Sequence, residues 1–230
     1  MSDSSRPIRD YVLPLVEVSK EGEIYSLKRF HGTCFLVGSD GIALTNAHLL
    51  GVDTGNHLAV LTADDDGWHV HRVSDQETHP SEDVAVLRIP SINYPSIMRI
   101  SDTWEGSSFE YRQWSYPEET AQELEKDGVI ALRPDLVYLQ GYIRRRMQDI
   151  PLFAIRGHSF YELSEPGVSG CSGSPVISRE PSEIWKVVGI FAGHRHSAQN
   201  GNASSVGYAV RADAIHNWSP SLLGRCISEL

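Results

Sequence analysis

A serine held between glycines, in Gly170-Cys171-Ser172-Gly173-Ser174-Pro175-Val176, has the setting of an acyl-accepting nucleophile. Acyl transfer by serine needs an imidazole to take the hydroxyl proton and a carboxylate to hold that imidazole in one tautomer. It also needs preorganised donors where the oxyanion develops. Gly170 lets the backbone turn so that its N–H and that of Ser172 converge on one hollow, and Gly173 keeps a side chain away from the attacking hydroxyl. An imidazole is available in Leu44-Thr45-Asn46-Ala47-His48-Leu49-Leu50, and a carboxylate in Glu82-Asp83-Val84-Ala85-Val86-Leu87-Arg88-Ile89. Each has a bland reading. Gly-Ser-Pro clusters are common turns. The chain has ten histidines, and most will simply be satisfied by nearby carbonyls. Cys171, beside the serine, offers a rival nucleophile.

These residues need a scaffold, and the hydrophobic pattern describes one. Phe35-Leu36-Val37, Ile42-Ala43-Leu44, Leu58 to Leu61 and Val84 to Leu87 are short apolar runs bounded by Gly, Asp, Asn or Ser. Ser39-Asp40-Gly41 between two of them predicts a hairpin turn. A second set of strands is expected at Ser108–Trp114, Asp135–Arg144, Leu152–Ile155, Pro175–Ser178, Trp185–Ala192 and Ser205–Ala209. Short strands at this spacing predict an all-β sandwich or barrel. The polar stretch Glu118–Lys126 reads as a surface helix or long loop, and Arg211–Trp218 as the start of a short C-terminal helix. Pro90–Ser101 separates the strand sets, with His48 and Asp83 before it and Ser172 after it.

The order His48, Asp83, Ser172 is that of the chymotrypsin-type triad and differs from the subtilisin and α/β-hydrolase orders. On these residues the chain resembles the trypsin-like peptidase superfamily, in the style of bacterial HtrA-like and other single-domain members. The resembling segments are GTCFLVGSDGIALTNAHLL, EDVAVLRI, GCSGSPV, Val187-Val188-Gly189-Ile190 and Gly207-Tyr208-Ala209-Val210, all within residues 32–210. The resemblance implies an all-β fold of two six-stranded antiparallel barrels with a short C-terminal helix. It would divide the 1–230 unit into a first barrel at 11–95, a second at 102–215 and a helix or tail at 216–230. It implies a serine endopeptidase in which His48 is general base and then acid, Asp83 orients it, and Ser172 forms the acyl-enzyme. The Gly170 and Ser172 amides would form the oxyanion hole, and Phe191, Ala192 and Gly193 would pair with an extended substrate.

Two departures qualify this. Cys171 stands where digestive members carry an aspartate that receives a newly cut N-terminus, so that mode of activation is not expected. The position where a preference for Lys or Arg would need an acid falls on Pro166, with Glu165 beside it, while His194 and His196 follow the substrate strand and could favour an acidic residue. An alternative reading is a latent or inactive peptidase-fold module that binds protein until a partner activates it. A third is an esterase.

Bulk properties narrow the field. Of 230 residues, 40% are hydrophobic and 22% charged, which is ordinary for a folded globular chain. The formal charge of −10 argues against nucleic-acid binding, which needs a basic patch. Arg144-Arg145-Arg146 is short and reads as a solvated strand end or turn. No metal spacing, cofactor motif or membrane-length apolar run is present, so no cofactor, metal site or membrane association is expected. The expected partners are a protein or peptide substrate and an activating or inhibiting protein. Three cysteines without pairing, and no leader-like segment, predict a cytoplasmic protein.

Overall fold

The computed structural model describes residues 6–51, 55–65, 67–126, 129–149, 152, 155–180, 184–199 and 202–230. Its strands are β1 (Val12–Glu21), β2 (Ile24–Leu36), β3 (Ile42–Thr45), β4 (His57–Asp64), β5 (Gly67–Arg72), β6 (Asp75–Thr78), β7 (Ala85–Arg88), β8 (Met98–Ile100) and β9 (Glu110–Ser115). Then come β10 (Gln122–Lys126), β11 (Val129–Arg133), β12 (Val137–Gln148), β13 (Ser159–Leu163), β14 (Pro175–Ser178), β15 (Trp185–Gln199), β16 (Asn202–Arg211) and the single helical turn α1 (Ala212–Ile215). The expected all-β architecture is therefore the one adopted.

The first sheet has the order β5-β4-β1-β2-β3-β7-β6. It curls because the chain leaving β5 changes partners: Val73 N–H donates to Leu58 and Ser74 N–H to Arg88, at opposite ends of the sheet. The second sheet runs β14-β9-β12-β13-β16-β15, with β14 also paired to β15, which closes a six-stranded barrel. β8 adds to it in parallel, through Trp185↔Met98.

The central strands are apolar on both faces because each face has its own core. In β2, Cys34 and Leu36 point into the first barrel, while Phe35 between them joins a cluster shared by both sheets. Near β7, Leu87 and Ile89 face inward and Val84 and Val86 face the shared cluster. In the second barrel Tyr161, Val176, Val188 and Ala209 point inward, while Phe160, Ile177, Ile190 and Val210 meet the first sheet. Alternation with both faces buried produces the continuous apolar runs of the sequence.

The Ser39-Asp40-Gly41 turn is a hairpin turn as expected, with Asp40 and Gly41 both at φ 65. The polar stretch 118–126 differs from its local propensity. A 3-10 turn at Glu118–Thr120 leads into β10, which pairs with β11 through Gln122↔Arg133 to Lys126↔Val129. Cross-strand pairing supplies the backbone partners that a short isolated helix would have to make alone. Of the strand expected at Leu152–Ile155, residues 153 and 154 lie outside the described residues, and Leu152 and Ile155 pair in an isolated bridge. The arginine run lies within β12: Arg145 donates to Glu162 at 2.8 Å and Arg146 covers the Trp104 ring.

Candidate active site

Register brings the imidazole to the carboxylate. β3 and β7 are antiparallel and end on the pair Thr45↔Ala85. His48 lies three residues past one end and Asp83 two residues before the other, so both leave the sheet at the same edge. A 3-10 turn at Ala47–Leu49 then folds His48 back over Asp83. Asp83 is 1% exposed, and its two oxygens divide their work. Oδ1 accepts the His48 backbone N–H at 2.9 Å, and Oδ2 lies 2.6 Å from His48 Nδ1. Asn46, fully buried, donates from Nδ2 to the Asp83 carbonyl at 2.9 Å and closes the loop from behind.

The segment carrying Asp83 is also fastened to the second barrel. Glu82 accepts the backbone N–H of His158 at 3.1 Å and of Ser159 at 3.4 Å. His79 Nδ1 accepts the N–H of Glu82 at 2.9 Å and of Ser81 at 3.2 Å, and the ring packs edge-on against Trp218. Burial lowers the His79 pKa below its ordinary value; Glu82 opposes the shift and Arg156 adds to it.

Ser172 arrives from the other barrel on a loop docked onto β2. Thr33 N–H donates to the Ser172 carbonyl at 2.9 Å, and Thr33 Oγ1 donates to the Gly170 carbonyl at 2.9 Å while accepting Tyr116 N–H at 3.0 Å. Gly173 has φ +87, and a Cβ there would collide with the Thr33 carbonyl and Thr45 Oγ1. Gly32 sits between the two halves: a Cβ on it would be 2.8 Å from Leu49 Cδ1 and 2.8 Å from the Ser172 carbonyl oxygen. The serine therefore stands beside the His48 turn, although no hydrogen bond joins His48 to the Ser172 hydroxyl. The imidazole side chain is 44% exposed.

The carbonyls of residues 169 to 172 are engaged. Glu118 N–H donates to Ser169 at 2.9 Å, Thr33 Oγ1 to Gly170, and Ser174 Oγ to Cys171 at 2.6 Å. A planar trans amide points its N–H opposite its carbonyl. Fixing the Ser169 and Cys171 carbonyls therefore fixes the directions of the Gly170 and Ser172 N–H groups, and neither has an acceptor among the described residues. Gly170 adopts φ +90, where a side chain would meet the Tyr116 carbonyl at 2.5 Å.

Cys171 points away from the imidazole. It is fully buried with the second-barrel core, and its thiol receives the Ser115 hydroxyl at 3.2 Å. Burial raises its pKa, with the Ser115 hydrogen bond acting against the shift. Ser174 also earns its hydroxyl, since it receives Gln113 Nε2 at 2.7 Å while holding the Cys171 carbonyl.

The strand expected to meet substrate divides into two parts. Phe191 N–H donates to Ser174 and Phe191 C=O accepts Gly173 N–H, so its backbone is already used. Pairing with β14 ends at Ile190, and a bulge falls between Phe191 and Gly193. The β15 edge beyond, from Ala192 and Gly193, faces no neighbouring strand on that side among the described residues. The Phe191 ring lies between the loop before Ser172 and β16. Cβ atoms on Gly167 and Gly207 would be 2.6 Å and 2.9 Å from it. Glu165 presents its carbonyl, not its carboxylate, to Gly207 and lines a separate cleft with Glu110, Gln140 and Arg179. His194 and His196 are exposed with ring centroids 4.6 Å apart. Among the described residues no three His, Cys, Asp or Glu side chains converge as a metal site, and no helix is long and apolar enough to cross a membrane.

Sequence reasoning did not find Thr33, Glu118, Ser169 or Glu82. Thr33 and Gly170 are 137 residues apart, and no local pattern marks their contact.

The sequence profile of the trypsin-like peptidase domain matches residues 32–190. No curated protein matches the chain. Among solved structures, the MamO protease domain from Magnetospirillum magneticum superposes with TM-score 0.62 at 13% identity, covering 90% of this chain and 95% of that one. The active form of the Rv3671c protease from M. tuberculosis gives 0.58 at 19% identity, covering 89% and 77%. The HtrA-type protease AlgW with a decapeptide gives 0.59 at 16%, covering 88% and 61%. At these identities the likeness is one of fold.

Proposed function

The chain belongs to the trypsin-like peptidase domain family, and from that premise we propose that it is a serine endopeptidase acting through Ser172, His48 and Asp83. The observation that carries this reading is the buried Asp83 carboxylate spanning His48, one oxygen on the backbone N–H and the other on Nδ1. That arrangement leaves Nε2 as the atom able to accept a proton. Ser172 Oγ attacks the substrate carbonyl carbon as its proton passes to Nε2, and the Asp83 charge stabilises the imidazolium. The oxyanion receives the Gly170 and Ser172 N–H groups, whose lack of acceptors among the described residues supports that role. Collapse breaks the C–N bond, and the departing amine takes the proton from Nε2. Water then hydrolyses the acyl-serine by the same steps in reverse.

Substrate lies along the β15 edge at Ala192 and Gly193, which has no neighbouring strand on that side among the described residues, and pairs through its backbone. The residue bearing the attacked carbonyl turns its side chain toward the space between the serine loop and β16. Phe191 fills that space, so a small side chain is favoured there. A cleavage library should show this preference in the wild type, and Phe191→Val should extend it to larger side chains. An unchanged profile in a folded variant would remove Phe191 from specificity. Free Cys34, Cys171 and Cys226 agree with a reducing compartment, and we place the protein in the cytoplasm.

The test of catalysis is labelling with a fluorophosphonate. Modification should fall on Ser172 and vanish in Ser172→Ala. A folded wild-type protein that is never labelled would leave the second reading, a latent binding module, which the missing His48–Ser172 hydrogen bond favours. Parallel peptide and ester assays separate a peptidase from an esterase.

A further inference from the structure

Both proposed oxyanion donors depend on how their peptide planes are turned, and the Ser169–Gly170 plane is held from outside the loop. Two contacts hold it, both from Glu118. The Glu118 N–H donates to the Ser169 carbonyl at 2.9 Å, and the Ser169 hydroxyl donates to Glu118 Oε2 at 2.8 Å. If that carbonyl turned inward, the Gly170 N–H would turn out and the hollow would hold an acceptor in place of a donor. Glycine at φ +90 has no side chain to resist such rotation. On the other side of Gly170, Thr33 Oγ1 fixes the next carbonyl, so the Glu118 contacts govern the one plane left to set.

We infer that Glu118 is a positioning residue for the oxyanion hole, using its N–H and carboxylate to clasp Ser169 and keep the Gly170 N–H turned toward substrate. The inference rests on the peptidase reading. It gives the loop a replacement for the carboxylate absent at Cys171, since the brace comes from the turn after β9 rather than from a cut N-terminus. That turn continues directly into the β10–β11 hairpin, so displacement of the hairpin would reach the oxyanion peptide through a single residue.

Glu118 and Ser169 are both exposed, so their side-chain exchanges should leave folding nearly unchanged. Glu118→Pro is the sharpest test. Pro117 has φ −65 and ψ 136, a conformation that accepts a following proline, and Glu118 opens a 3-10 turn, where proline fits. The substitution removes the N–H and puts a ring carbon against the Ser169 carbonyl. Loss of one oxyanion donor lowers kcat by about 10²–10³-fold, and Glu118→Pro should approach that with KM little changed. Glu118→Ala and Ser169→Ala lose only the side-chain contact and should lower kcat by up to about tenfold, as one charge-assisted hydrogen bond allows. Glu118→Gln, which keeps an acceptor for the Ser169 hydroxyl, should recover most of the activity.

The same variants should be labelled at Ser172 by fluorophosphonate at rates that fall with kcat. Wild type labelled and Glu118→Pro labelled equally fast overturns the inference and leaves the peptidase reading intact. Losses in kcat matched by equal losses in thermal stability, or Gln no better than Ala, also overturn it. A wild type that is never labelled overturns both.

Discussion

Replacing Asp83 by asparagine tests the tautomer argument with little change of volume. Asparagine can keep only one of the two present contacts in its present sense. The His48 backbone N–H, now 2.9 Å from Oδ1, requires an oxygen there, because an amide NH2 would set donor against donor. With the oxygen so placed, the NH2 group falls where Oδ2 now lies 2.6 Å from Nδ1. A donor facing Nδ1 selects the ring tautomer protonated on Nε2, the atom that has to take the Ser172 proton. Asp83 is 1% exposed, so water cannot relieve the mismatch. Loss of tautomer and of imidazolium support together should lower kcat by about 10⁴-fold. That is about 5.5 kcal/mol of transition-state stabilisation at ~1.36 kcal/mol per tenfold. Folding should suffer less, by about 1–2 kcal/mol, because both contacts survive as neutral hydrogen bonds. The assay is kcat and KM on a peptide substrate, with thermal unfolding of the same preparation. A folded Asp83→Asn protein within tenfold of wild-type kcat, still dependent on Ser172, would refute the role of Asp83 in holding the imidazole.

Thr33→Val should strand the Gly170 carbonyl and Tyr116 N–H in the interior and cost about 2–4 kcal/mol in denaturant unfolding, with Thr33→Ser recovering most of it. His79 has its folded-state pKa lowered below 6.5 and serves as a neutral acceptor. Its contribution is therefore full above pH 6.5 and is lost as pH falls through the folded-state value, where the unfolded chain binds more protons. Melting temperatures from pH 8 to pH 5 should fall less steeply in His79→Asn, which keeps an acceptor that does not titrate; identical slopes would refute this. For the thiols, mass spectrometry after brief alkylation should find Cys226 modified while buried Cys34 and Cys171, both raised in pKa by burial, react only on unfolding. Cys171→Ser should remain active, and activity lost with Cys171→Ser but kept in Ser172→Ala would make the cysteine the nucleophile.

Features written in short-range pattern could be read from the residues alone. Two-sided burial made Val84–Leu87 an uninterrupted apolar run, and Asp40-Gly41 marked a turn by its need for positive φ. His48 and Asp83 were legible by residue type and by their order with Ser172, and the antiparallel register of β3 and β7 is what brings them together. Tertiary structure decided what depends on contacts between distant segments. The stretch at 118–126 has helical composition, yet β11 supplied partners for a strand. Phe191 looked like a residue to pair with substrate, but Gly173 and Ser174 already take its backbone groups, and its ring is buried beside Gly167 and Gly207. Thr33, Glu118 and Ser169 carry no local signature, because a hydroxyl or an amide becomes a brace only when folding brings a carbonyl to it. The Gly170 and Ser172 carbonyls are answered by Thr33 of the first sheet and the Ser169 carbonyl by Glu118, 51 residues away in sequence, so these pairings are settled by how distant segments pack.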